Sequence, residues 1–219
     1  IRRLIAREEK VDFQGEHYQH PYTGPGSVGL GKALKPITHP LRRKIPIFIG
    51  AEGPKNVTQT AEIADGWFPL YYSPWRQAVY ADQLTGASDD FQIAVICPFV
   101  VTGPTEAEIA EGLAGIRMML AFYIGGMGAE GQNYHTKLAS RMGLGDAALE
   151  IQRKFLAGDQ AGAIDAVPAS FADEIALVGP PERIKERLSV WRDSPVTTLL
   201  IHASDSHGLQ TAAELVLEG

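Results

Sequence analysis

A chain of 219 residues with 45% hydrophobic content is long enough to bury a sizeable core, so one large domain is expected. A net charge of −6 argues against a nucleic-acid-binding surface, though not against a local basic pocket. A lone cysteine, Cys97, excludes an internal disulfide; with no signal-peptide pattern and no apolar run near ~18 residues, a cytoplasmic protein without a membrane segment is expected.

Residues 1–7 (IRRLIAR) read as the end of a helix entered without a cap, and no initiator methionine precedes them. The chain is therefore expected to be a fragment. Residues 11–18 alternate weakly and predict a hairpin around Gln14-Gly15. Residues 21–40, rich in Gly, Pro, Ser and Lys, predict a long loop, either mobile or an active-site lid. The stretch 45–67, IPIFIGAEGPKNVTQTAEIADGW, carries most information. Ile45, Ile47, Phe48 and Ile49 form an apolar run of parallel-strand type. Gly50 and Gly53 permit a sharp turn, and Pro54 suits the first position of a helix over 56–64.

Residues 67–72 predict the next strand, with Pro69 suggesting a bulge or a strand end, and Ser73-Pro74 opens a helix over 75–84. Residues 91–102 predict a long apolar strand that Pro98 should break or bulge. Buried in that run, Cys97 reads as a structural thiol. Thr105-Glu106-Ala107-Glu108 has capping-box form; Ile109, Leu113, Ile116, Leu120 and Tyr123 then recur at helical spacing until Gly125-Gly126 stop the helix. Short helices are expected around 134–141, 147–156 and 159–164, an extended lead-in at 175–178, and an amphipathic helix over 181–191. A last strand, 197–203, precedes a helix reaching Glu218. Alternating strands and helices imply a parallel sheet.

The blocks AEGPKN, AEIADGW and YYSP resemble the luciferase-like flavin and deazaflavin oxidoreductases, and within them the coenzyme F420-dependent branch. The upstream blocks SVGLGK and LKPITHPLRR and the downstream blocks FYIGGMGAEG and VGPPERIKERLSVW extend the likeness over most of the chain. The resemblance implies an α/β fold: the C-terminal half of a (β/α)8 TIM-type barrel, strands five to eight, with a helical insertion before the last strand. Residues 1–219 would form one partial barrel domain without its N-terminal half, inactive alone, with the catalytic residues in the absent half. Open strand edges and an uncovered apolar interior would favour pairing with another copy, a homo-oligomer.

The candidate site is the turn formed by Gly50, Ala51, Glu52, Gly53, Lys55 and Asn56. A strand, a phosphate-sized turn and a helix N-terminus make a ready anion site. The alternative is an ordinary βα turn in which Asn56 bonds the local backbone. The resemblance implies that this turn contacts the cofactor phosphate. Glu52 is awkward there, because a carboxylate repels phosphate; Lys55 either adds charge at the phosphate or is a solvated surface lysine. The cofactor implied is F420, with FMN as alternative, since both carry the phosphate-bearing arm. The implied reaction is hydride transfer between the deazaflavin and a small organic substrate. A phosphate-substrate barrel enzyme would want a Lys or Glu base at a strand end, and no readable strand ends in Lys. A non-catalytic barrel serving as a binding or assembly module is the remaining reading. Gly24–Lys35 lacks the P-loop form, no metal-ligand spacing occurs among the histidines, and His202 reads as structural although it falls at a strand end.

Overall fold

The computed structural model describes residues 1–217, which divide into a unit of Ile1–Ile47 and a second starting at Phe48. In the first unit, α1 (Arg2–Ala6) ends at Arg7 in the left-handed region, φ 56°. The hairpin pairs β1 (Phe13–Gln14) with β2 (Gln19–His20), so the turn falls at residues 15–18, slightly beyond the expected centre. Beyond it, the expected loop carries one bridge, Leu34 to Val11, and the Arg7 guanidinium donates to the carbonyls of Ile37 and Thr38.

The second unit is built on a parallel sheet of β3 (Phe48–Ile49), β4 (Gly66–Trp67), β5 (Gln92–Val101), β6 (Leu177–Gly179) and β7 (Thr198–Ala203). The long strand β5 organises it. Gln92 donates its amide to Asp65 and Thr102 donates to Gly179, whereas Ile93 exchanges hydrogen bonds with Thr197. Strands β4 and β6 therefore occupy successive stretches of one edge of β5, and β7 lies along the other. Pro98 does not break β5, contrary to the sequence expectation. By the alternation of amides its ring nitrogen faces the β4/β6 edge, in the gap between the residues paired to β4 and those paired to β6, so no ladder bond is lost.

Three further expectations are corrected. The strand expected over 45–50 shrinks to Phe48–Ile49, with Ile45 and Phe48 exposed and β3 paired on one side only. The strand at 67–72 stops after Trp67; Tyr71 sits at φ 59° and turns the chain. The expected helix at 75–84 is a pair of 3-10 segments, Pro74–Tyr80 and Asp82–Leu84.

Sheet register separates two faces. Trp67, Val95, Cys97 and Phe99 are essentially inaccessible on the face covered by helices. The other face presents Phe48, Ile96 and Leu200 at 38%, 46% and 43% exposure, with His202 beside Pro98 also exposed. Helix α2 (Pro54–Ile63) begins at Pro54 and buries Val57, Thr60 and Ala61. Helix α3 (Glu106–Ala121) starts with the expected capping box, Thr105 with Glu108, and buries Leu113, Ile116 and Leu120; each fully buried leucine contributes about 2 kcal/mol. It continues through a π-helical turn, Phe122–Gly126. Together Glu106–Gly126 is long and apolar enough to cross a membrane by composition, which the sequence expectation missed, yet its buried stripe joins the protein core and Arg117 donates to the carbonyls of Ile164, Asp165 and Val167.

The helical excursion comprises α4 (Tyr134–Ala139), a π turn (Ser140–Leu144), α5 (Gly145–Leu156), α6 (Gln160–Asp165) and α7 (Ala169–Glu174), the last unforeseen in the sequence. Gly125 and Gly126 are packing glycines: a β-carbon at either would fall within 2.6 Å of Phe155. Helices α8 (Pro181–Arg192) and α9 (Ser206–Leu217) flank β7; the expected helix end at Glu218 lies outside the described residues.

Candidate functional site

The turn between β3 and α2 is built by local sequence. Pro54 occupies the first helical turn, where its missing N–H costs nothing, and Gly53 is the N-cap, φ −76° and ψ 145°, with no side chain capping the helix. The first-turn amides thus lack a side-chain acceptor. Gly53 has ordinary extended dihedrals, and a β-carbon there would meet no atom within 4 Å. Its conformation does not require glycine; the space before it does admit a group that approaches the backbone closely. Ala51 is buried and accepts a 2.9 Å hydrogen bond from Trp67 Nε1, which fixes the turn to β4.

Lys55 and Asn56 are exposed on the first turn of α2, and Arg141 Nη2 donates to the Glu52 carbonyl at 2.8 Å. The helix N-terminus and Arg141 make the mouth of the turn positive. Sequence reading missed Arg141, because 89 residues separate it from Glu52 and no local pattern links them.

The Glu52 side chain does not face this mouth. Its Oε1 accepts from the Leu70 amide at 2.9 Å, and Oε2 is buried without a hydrogen-bond partner. Burial pushes the carboxyl up to about 7, with the Leu70 bond and Arg141 opposing. The repulsion expected between Glu52 and a phosphate is therefore removed by direction and by partial protonation. The hydroxyls of Tyr71 and Tyr80 are also buried without partners, and burial, with Glu52 nearby, holds both well above the usual phenol range.

Over the middle of β5 and the second half of β7, and bordered by the Leu70 that Glu52 holds, lies a cavity of about 500 Å³, walled by Leu70, Tyr71, Tyr123, Ile96, Leu200 and His202 among others. Tyr71 meets Tyr123 and His135 edge-on at centroid distances of 5.6 and 5.8 Å. Burial lowers the His135 pKa, disfavouring the charged ring. His202, read as structural in the sequence, is instead exposed and lines this cavity. Among the described residues no cluster of His, Cys, Asp or Glu could hold a metal. Cys97 is fully buried and burial raises its thiol, as fits a structural cysteine.

In sequence, the chain is 40% identical to a Mycobacterium tuberculosis protein named as a putative coenzyme F420-dependent oxidoreductase, over 99% of this chain and 64% of that protein. Among solved structures, the F420-dependent tetrahydromethanopterin reductase from Methanopyrus kandleri superposes with a TM-score of 0.64 at 19% identity, covering 98% of this chain and 58% of that one. An F420-dependent secondary alcohol dehydrogenase gives 0.61 at 11% identity, covering 98% and 57%. At such identities these two speak for the fold alone, and the chain spans less than two thirds of each relative. Residues 1–198 match the luciferase-like monooxygenase family, and the chain belongs to that family.

Proposed function

We propose that this chain is the cofactor-phosphate-binding part of an F420-dependent oxidoreductase acting on a small organic substrate. In this reading β3, β4, β5 and β7 are strands five to eight of a (β/α)8 barrel, and residues 1–219 are one partial barrel domain. The observation that carries it is the open turn at Gly53: uncapped amides, free space where a side chain would be, and the Arg141 guanidinium beside it. The 40% identical relative supports F420 over FMN, although the phosphate arm common to both fits the turn equally.

F420, when bound, supplies the hydride-transferring ring. The chain's own residues do the rest. Backbone amides of Gly53, Lys55 and Asn56 receive the phosphate; Gly50 and Ala51 shape the turn; Lys55 and Arg141 neutralise charge. The Glu52 contribution is its backbone, since its side chain is engaged with Leu70. The exposed sheet face carrying Ile96 and Leu200 is the inner wall of the barrel, and the remaining strands supply the ring contacts.

Amide NMR during titration of the full chain with F420, and separately with FMN, tests this. F420 should shift Gly53, Lys55 and Asn56. Gly53→Val should weaken binding about tenfold, equivalent to about 1.4 kcal/mol, with no more than about 1 kcal/mol lost from stability through the poorer N-cap, because the added carbons enter empty space. Shifts confined to other residues, or unaltered binding by Gly53→Val, would overturn the assignment. Preferential saturation by FMN would move the cofactor to the flavin class.

A further inference from the structure

Glu52 belongs to the connection after β3, yet its carboxyl reaches the connection after β4, where Oε1 accepts from the Leu70 amide. Next to that amide is Tyr71 at φ 59°, a region that bulky aromatic residues enter only when the surroundings hold them there. Glu52 thus holds the backbone of residues 69–71 through a side-chain hydrogen bond. Pro69, Leu70 and Tyr71 together form one wall of the 500 Å³ cavity, and the Tyr71 ring is locked edge-on against Tyr123, which forms the neighbouring wall. The lining contains no Asp, Glu, Lys or Arg, and its polar members are tyrosines and His202. A volume of this size suits a small organic molecule.

We infer that Glu52 is a positioning residue: by gripping the Leu70 amide it fixes Tyr71, and with it the wall of a cavity that takes an uncharged, mainly apolar substrate. This rests on the reading of the chain as part of an oxidoreductase that acts on a small organic substrate. It adds a physical link between the two halves of that site. The same residue whose backbone borders the phosphate turn sets, through its side chain, the shape of the substrate cavity.

The test uses the full chain and the uncharged fluorophore N-phenyl-1-naphthylamine. Wild type should bind it, and Leu200→Glu, which puts a charge into the cavity, should abolish binding. Glu52→Ala removes the acceptor and should weaken binding about tenfold. Glu52→Gln keeps an acceptor of the same shape and should restore it to within about twofold. A merely structural acid would not show rescue by the amide with loss in the alanine variant at equal folded fraction. Should Glu52→Ala fail to fold, the Leu70 amide proton decides: it should titrate with a midpoint near 7 in wild type and not at all in Glu52→Gln. Equal binding by all Glu52 variants, equal weakening by Ala and Gln, a Leu70 resonance indifferent to pH, or binding that survives Leu200→Glu would each overturn the inference. Failure of F420 to bind, with these results intact, would overturn the cofactor reading alone.

Discussion

A single carboxyl, Glu52, should govern how this protein's stability responds to pH. Its oxygens are buried between the Leu70 amide, Arg141 and the hydroxyls of Tyr71 and Tyr80, and the cost of charging it there raises its pKa from 4.5 to about 7. An acid with a raised folded pKa binds more protons folded than unfolded between those two values. Stability is then highest relative to a neutral isostere below about 4.5, falls as pH rises, and levels off above about 7, with a loss of about 3 kcal/mol from this group. Glu52→Gln should flatten that slope and be more stable than wild type at pH 8 by a similar amount. Urea melts at pH 5, 6, 7 and 8 check it; parallel slopes for the two proteins would mean that the carboxyl is not desolvated. A variant more stable and still able to hold Leu70 would show that the charge itself, rather than the acceptor, is what the fold pays to keep.

Elements differ in how far their own sequence announces them. The capping box at Thr105 and the proline-led start of α2 were legible because capping is decided within four residues. So was the turn at residues 50–56, whose candidate residues all lie in one stretch. The 3-10 form of Pro74–Tyr80 was not legible, and the contacts that hold this segment are distant in sequence. Arg76 grips Glu174 through Nε at 2.6 Å and Nη2 at 2.8 Å, and donates to the Met142 carbonyl, while Ser73 Oγ donates to the same carboxylate at 2.9 Å. One guanidinium thus ties the segment to α7 and to the π turn before α5. The same non-locality hid Arg141, the direction of Glu52 and the short α7. Both partners of the Arg76–Glu174 pair are mostly buried, at 23% and 16% side-chain exposure, so deleting one strands the other. Arg76→Ala should destabilise the protein by about 3 kcal/mol, whereas Arg76→Met with Glu174→Leu should recover most of that loss by filling the site without charge. Equal losses in the single and double variants would show that the carbonyl contact to Met142, and not the ion pair, holds the segment.

At the scale of the whole molecule, the unusual feature is a parallel sheet with one face covered and one bare. Parallel sheets normally carry cover on both faces. Here Phe48, Ile96 and Leu200 stand 38%, 46% and 43% exposed on the face opposite the helices, and β3 and β7 present unpaired outer edges among the described residues. Exposed apolar side chains over an open-edged sheet associate with whatever complements them. In a dilute solution of this chain alone, the available complement is another copy. Sedimentation velocity over a range of concentrations should therefore show reversible self-association. Leu200→Glu should shift the population toward monomer with little change in melting temperature, because Leu200 is partly exposed at the open side of the cavity and the new carboxylate can reach water when the chain is alone. Association that ignores Leu200→Glu but disappears when a charge is placed on the outer edge of β3 would assign the contact to the strand edge. A concentration-independent monomer in wild type would count against both, and would mean that the bare face is tolerated by the chain as it stands. The outcome also bears on the barrel reading, since a face that is the inner wall of a closed barrel should be the one that self-association buries when the closing strands are not present.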